Sequence, residues 1–225
     1  MATSGTATFD LDLNSLVEEA FERCGTELRT GYDLRTARRS LNLLTIEWAN
    51  RGINLWTIEE GAVALTSGTA TYDLPADTID LLDHVIRTGT GTGQSDLSIT
   101  RISVSTYASI PNKNVQGRPV QLWIDRAATT PQANVWPVPD GSYTLSYWRM
   151  RRIQDAGNGA TTQDIPFRML PCLVAGLAYY LSLKIPEAMN RIDMLKASYE
   201  EQWLLASSED REKASLRLAP REFFY

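Results

Sequence analysis

Residues 41–56 read Leu-Asn-Leu-Leu-Thr-Ile-Glu-Trp-Ala-Asn-Arg-Gly-Ile-Asn-Leu-Trp. This stretch decides the fold because two structural grammars meet in it. Leu34, Ala37, Leu41, Leu44 and Trp48 recur at spacings of three and four, so they share one face of a helix that begins near Asp33. Asn50-Arg51-Gly52 supplies the stop, since glycine takes the left-handed conformation after a helix without steric cost. Ile53, Leu55 and Trp56 then carry apolar character onward into a β region. The periodicity marks a packing element between a helical and a sheet part, not a site.

Upstream, residues 1–9 are small and polar without a period, which predicts a flexible arm. Asp12, Asn14 and Ser15 offer N-caps, and Ser15-Leu16-Val17-Glu18 fits a capping box. A first helix runs to Cys24 and stops at Gly25. Its buried stripe is Leu13, Leu16, Val17, Ala20, Phe21 and Cys24. Gly31-Tyr32-Asp33 breaks the chain, Asp33 caps the second helix, and the two helices form an αα-hairpin.

Downstream, residues 63–66 and 69–74 flank Ser67-Gly68 and read as a β-hairpin ended by Pro75. Residues 79–87 and 97–102 predict strands. Between them, Gly89-Thr90-Gly91-Thr92-Gly93 is a loop tip that lacks the Gly-Lys-Ser/Thr ending of a phosphate loop. A short helix capped by Ser103 precedes a meander with strands at 120–125, 134–138 and 142–152, turned at Pro139-Asp140-Gly141. Trp123, Trp136, Tyr143, Tyr147 and Trp148 load this sheet with aromatics, either as core or as a platform for sugars or bases.

Helical grammar returns beyond Asp164. Pro166 and Pro171 are starters for a helix reaching Lys184, with Leu173, Val174, Leu177, Tyr180 and Leu181 inward. Pro186 opens a last helix through at least Ser207, with Met189, Ile192, Leu195, Tyr199, Trp203 and Ala206 at helical spacing. The end of the chain is charged from Glu209 to Lys213. It then exposes Leu216, Leu218, Phe223, Phe224 and Tyr225, an adhesive segment suited to a partner groove or to packing back on its own domain. The expected class is α+β: a helical bundle from residues 10–58 and 164–207, an inserted antiparallel β domain at 59–163, a flexible N-terminal arm at 1–9, and an extended C-terminal arm at 208–225.

Composition excludes several functions. The net charge of −5 argues against tight binding to a nucleic-acid backbone. Arg149, Arg151 and Arg152 form one basic cluster, and Arg35, Arg38 and Arg39 a looser one; both read as solvated or interface faces. The N-terminus has neither the basic nor the apolar region of a secretory signal. No run of eighteen apolar residues offers a membrane span. Cys24 and Cys172 are two distant thiols in apolar helical contexts, which suits a reducing cytoplasm.

No catalytic, cofactor-binding or metal-ligating set emerges. His84 is the only histidine and sits in an apolar run, with no nucleophile motif to serve. One histidine with two distant cysteines does not make a zinc site. Glu18-Glu19 and Glu200-Glu201 are helix neighbours pointing about 100° apart. Neither pair can face itself across the roughly 5–10 Å cleft that glycoside hydrolysis needs. Glu59-Glu60 reads as a surface link.

The stretch 48–56 resembles a segment of the head-to-tail adaptor proteins of short-tailed phages, a family that includes tail accessory factors and tail tubular A-like proteins. Ala64-Leu65 to Tyr72-Asp73-Leu74-Pro75 fits the same family. So do Ile110-Pro111-Asn112-Lys113, Gly117-Arg118-Pro119, Trp136-Pro137-Val138-Pro139-Asp140, and Ile165-Pro166-Phe167 to Gly176-Leu177-Ala178-Tyr179-Tyr180. The similarity spans residues 13–220 and rests on the order and spacing of these segments.

The resemblance implies a structural, non-enzymatic virion component without cofactors, assembled in the host bacterial cytoplasm. It implies a dodecameric ring joining the portal protein to the tail nozzle and the tail fibre proteins. DNA would cross its channel only as non-specific cargo, and no membrane is involved. By the same resemblance the C-terminal arm docks on the portal, with Arg211, Leu216, Leu218, Phe223, Phe224 and Tyr225 as docking residues. The channel wall is expected to be neutral or acidic, since DNA must slide. Two other classes stand beside this one. A virion-associated cell-wall hydrolase would place Glu59 or Asp83 in a cleft. A host- or carbohydrate-binding tail module would expose two or more of Trp123, Trp136 and Trp148 on one surface.

Overall fold

The computed structural model describes residues 3–52, 55–126 and 129–210. The protein is α+β and divides into two compact units: residues 1–55 with 154–225, and residues 56–153.

The first unit is helical. Its elements are α1 (Leu13–Cys24), α2 (Gly31–Arg51), α4 (Leu170–Ser182) and α5 (Ile192–Glu209); α3 (Val104–Ala108) belongs to the other unit. The buried residues of α1 are the six of its expected stripe. α4 is buried nearly all round, with Leu173, Val174, Leu177, Ala178 and Leu181 at 2% exposure or less, so it is the central helix of the unit.

Of the three N-caps offered, Asp12 caps α1, its carboxylate accepting from Ser15 N–H at 2.8 Å, so the capping box expected from Ser15 does not form. α2 starts two residues before Asp33, and its cap is Thr30. Thr30 and Asp33 form a reciprocal capping box, in which Thr30 N–H donates to Asp33 (3.0 Å) and Asp33 N–H to Thr30 Oγ1 (3.3 Å). Asp33 therefore serves as the third helical residue of that box. Gly52 ends α2 at φ +85°, the left-handed stop that its sequence signal promised.

The segment leading out of the β region packs with the helices. Leu13 and Asn14 N–H groups, free at the start of α1, donate to Thr161 O (3.0 Å) and Gly159 O (3.1 Å). Ala156 is held to α2 by Asn42 Oδ1 and by the Arg38 guanidinium. Pro186 opens a 3-10 turn, Pro186–Arg191, ahead of α5. That turn's tighter period puts Ala188 inside and leaves Met189 67% exposed, off the helical spacing it was expected to share with Leu195 and Tyr199.

The second unit contains two four-stranded sheets. One has the order β1 (Ile58–Leu65), β8 (Tyr143–Arg151), β3 (Thr78–Thr88), β4 (Ser95–Ser98), all antiparallel. The other has the order β2 (Thr71–Asp73), β7 (Gln132–Trp136), β6 (Gln121–Asp125), β5 (Thr100–Arg101), with a short parallel pairing of β5 on β6. Leu81, Ile86 and Leu145 from the first sheet meet Leu122, Ala133 and Val135 from the second in one apolar core.

The hairpin expected across Ser67-Gly68 does not form. β1 spends all eight residues on β8, and β2 pairs with β7 in the other sheet. The turn is a crossing between sheets, braced by the Tyr72 hydroxyl, which accepts from Thr66 N–H (2.9 Å) and donates to Thr69 O (2.8 Å). β3 carries a bulge between Leu81 and Asp83. Leu81, His84 and Ile86 therefore all point inward while Leu82 is 49% exposed.

Candidate functional site

The C-terminal residues expected to dock on a partner, Arg211, Leu216, Leu218, Phe223, Phe224 and Tyr225, lie outside the described residues. What the structure does give is the platform from which they depart: the C-terminal half of α5 and the residues that fix it.

That platform is built on the end of α2. Glu47 and Arg51 are four residues apart and pair at 2.5 Å. The Glu47 carboxylate also accepts from the Tyr180 hydroxyl (2.5 Å) and from the Tyr199 hydroxyl (3.3 Å), and Tyr199 in turn accepts from the Trp48 indole N–H (3.1 Å). Arg51 reaches Glu200 at 3.4 Å and lies over the Trp203 ring at 4.6 Å from its centroid. Trp48 and Trp203 rings are 5.8 Å apart. One carboxylate and one guanidinium thus join α2, α4 and α5, with the polar atoms mutually satisfied inside an aromatic shell.

Burial, together with the hydrogen bond to Glu47, pushes the Tyr180 hydroxyl up to about 12; burial likewise raises Tyr199. Both phenols stay protonated and donating across the neutral range. The Cys24 and Cys172 thiols are raised by burial to about 11 and about 12, and Cys24 Sγ donates to Ala178 O at 3.3 Å. They are packing groups rather than nucleophiles.

Asp210, the last described residue, closes the platform. Its side chain is 1% exposed and accepts from Leu55 N–H (3.2 Å) and the Arg168 guanidinium (3.4 Å). The departure point of the C-terminal segment is therefore tied to the residue before α4's leading turn ends and to the chain just past α2.

Spacing marks Tyr180 and Tyr199 as helix-face residues, but nothing in the sequence joins them or Glu200 to Glu47 and Arg51, more than 130 positions away.

The other candidates resolve differently. Arg149 is 7% exposed and paired with Asp77 (2.6 Å) and with Glu59, while Arg151 also pairs with Glu59. This arginine pair is a neutralised brace between β8, β1 and the turn before β3, not a solvated basic face. Glu59 is consumed by it, and Asp83 is exposed with its carboxylate accepting the neighbouring His84 N–H.

Trp148 belongs to the first sheet, Trp123 and Trp136 to the second. Tyr107 stacks on Trp123 at 5.0 Å and the Trp136 indole donates to Asn112 O at 3.2 Å, so the chain itself uses both. Among the described residues no group of three or more His, Cys, Asp or Glu side chains could hold a metal ion. No helix there is long and apolar enough to cross a membrane.

The described residues thus form a helical unit and a β-rich unit, with the end of α5 fixed by the side chain of Asp210. A family model described as SU10 adaptor protein matches residues 12–221. The match covers most of the chain, which belongs to that family and is by this membership a structural adaptor of a bacteriophage. A search of curated proteins returned no match.

Proposed function

We propose that this adaptor joins the portal to the tail of a phage virion, in the manner of the tail accessory and tail tubular A-like proteins. In this reading it forms a dodecameric ring that continues the DNA channel, and the nozzle and fibres attach beneath it. Residues 10–58 and 164–207 form the ring's helical body, 59–163 the β-rich insertion, and 208–225 the portal-docking arm. The docking contacts are Arg211, Leu216, Leu218, Phe223, Phe224 and Tyr225. The protein acts without enzymatic activity and is assembled in the host bacterial cytoplasm.

The observation that carries the reading is the family match over residues 12–221, which extends into the C-terminal segment. The buried Asp210 at its root supports it further. An arm that must find a partner needs a fixed point of departure, since each freely rotating residue adds conformational entropy to be lost on docking.

The test is the mass in solution of the 25.1 kDa chain, alone and mixed with its portal, by light scattering. A large ring in the presence of portal, lost on deleting residues 215–225, is the expected result. A chain that stays single with portal present defeats the reading.

A further inference from the structure

The helical unit carries two surfaces that have no partner within the described chain and are opposite in charge. The first is a groove of 640 Å³ between α1 and the start of α4. Its buried lining includes Leu170 and Val174, Phe9 and Phe167 stand 77% and 75% exposed at it, and its α1 wall presents Glu18 and Glu22. Glu19 and Arg23 pair with each other there at 2.9 Å, whereas Glu18 and Glu22 form no ion pair among the described residues.

The second is the outer face of α2. Tyr32, Arg35, Arg39, Leu43 and Ile46 succeed one another by three or four residues and so form one stripe. Tyr32, Leu43 and Ile46 are 65%, 51% and 48% exposed, and neither Arg35 nor Arg39 has an ion-pair partner among the described residues. Lys184, hydrogen-bonded to Ser40 at 2.7 Å, adds a further positive charge beside Arg39.

The two surfaces match in pitch as well as sign. Glu18 and Glu22 are one helical turn apart, as are Arg35 and Arg39, and a turn rises about 5.4 Å in either helix. Both place exposed apolar side chains next to the charges, the composition of an interface core with a charged rim. Phosphate backbone would satisfy the arginines but leave Tyr32, Leu43 and Ile46 in water. A second protein surface with acids and aromatics satisfies both. That surface exists on this same chain, at a different place, which is the requirement for a head-to-tail contact that can close into a ring.

We propose that the α1/α4 groove of one copy receives the outer face of α2 from a second copy of this chain, with Glu18 and Glu22 facing Arg35 and Arg39. The proposal rests on the adaptor-ring reading and names its subunit contact.

The test uses charge reversal on exposed side chains of the full chain: E18R/E22R in one variant, R35E/R39E in another. Circular dichroism confirms that each is folded. Light scattering with the portal present then reads the mass. Each variant alone is expected to remain unassembled. An equimolar mixture is expected to assemble, because the all-positive and all-negative copies can alternate around the ring.

Either variant assembling alone as the wild type does, or a mixture no larger than its components, overturns the contact. A wild type that joins the portal without this charge dependence removes only this interface and leaves the adaptor reading standing. A wild type that stays single with portal removes both. Assembly of the wild type that depends on added DNA, with the dependence lost in R35E/R39E, would show that the α2 face binds phosphate and would overturn the contact as well.

Discussion

Replacing Gly176 with alanine separates two effects of opposite sign. In an ordinary helix interior, glycine to alanine is stabilising by about 1 kcal/mol, because alanine loses less backbone freedom on folding. At Gly176 a Cβ would lie 2.9 Å from Leu44 Cδ2, 2.9 Å from Tyr199 Cε2 and 3.0 Å from Leu44 Cδ1. Carbon atoms prefer about 3.5–4.0 Å, so both neighbours would have to move by half an ångström or more. Neither is free to: Leu44 is fully buried, and Tyr199 is 1% exposed with its hydroxyl held between Trp48 and Glu47. Overpacking of this kind costs about 1–3 kcal/mol. The expected net effect is therefore a destabilisation of about 1 kcal/mol, felt in α2, α4 and α5 together.

The chain has two units, so a single unfolding curve would mix them. Hydrogen exchange read on peptides of α4 isolates the helical unit, and its slowest amides should exchange several-fold faster. Leu44→Ala supplies the control. It costs about 2.7–5 kcal/mol alone by leaving a cavity. Adding Gly176→Ala should then cost less than it does in the wild type, since the Leu44 contacts are gone and only the Tyr199 contact remains, a coupling of about 0.5 kcal/mol or more. A Gly176→Ala variant that is more stable than wild type, or additive with Leu44→Ala, would refute the close approach of α4 to its neighbours.

Three further outcomes are expected. His84 is 9% exposed with neither ring nitrogen hydrogen-bonded, and burial lowers its pKa while Asp83 raises and Arg101 lowers it less. The unfolded chain thus binds the proton more readily. Stability of the β-rich unit is complete above about pH 6.5 and falls with acidification by at most about 1.4 kcal/mol per pH unit; urea unfolding from pH 8 to 5, read on β3 and β8 peptides by pulsed hydrogen exchange, should show this slope in wild type and lose it in His84→Phe.

Asp77 is held below the usual carboxylate range by its hydrogen bond to Arg149. Its contribution is present above about pH 4 and is lost only as the pH drops further, so Asp77→Asn should flatten the most acidic limb and leave the His84 limb intact. Asp210→Ala removes the acceptor for Leu55 N–H and Arg168. With a typical cost of about 1–2 kcal/mol, amides in the last turn of α5 should exchange about tenfold faster while α1 is unchanged.

The helical part was legible because its signals are local. Spacing gave the α1 stripe residue by residue, and the Asn50-Arg51-Gly52 stop falls where Gly52 turns left-handed. The same rules reach their limit at the caps: Asp12, Asn14 and Ser15 all offer one for α1 and only the fold selects Asp12, while α2 is capped by Thr30 rather than Asp33. The β part misled at Ser67-Gly68 because sequence marks a turn without naming the partners of its flanking strands. Two alternating runs across a glycine satisfy the pattern of a hairpin equally well when each run pairs elsewhere. The bulge in β3 is similarly silent: nothing in the apolar run around His84 shows that Leu82 is exposed while Leu81 and His84 are buried.

The same distinction explains why the candidate site was harder to see than the fold. Glu47 and Arg51 lie in the stretch read as a packing helix, their partners come from α4 and α5, and only the folded unit brings them together. That arrangement has a consequence for α5. The helix buries only Leu195, Tyr199 and Ala206 fully, while Met194, Leu204 and Leu205 are 61%, 70% and 56% exposed. Trp203 packs on Trp48 and lies under Arg51, so aromatic contacts and the Arg51 pair with Glu200 add to that buried side of the helix. An element fixed by a few polar and aromatic contacts on one side, and apolar on the other, retains an adhesive face in the folded chain. For a part whose role is to join others, that exposure is expected of the helix that leads into the C-terminal segment.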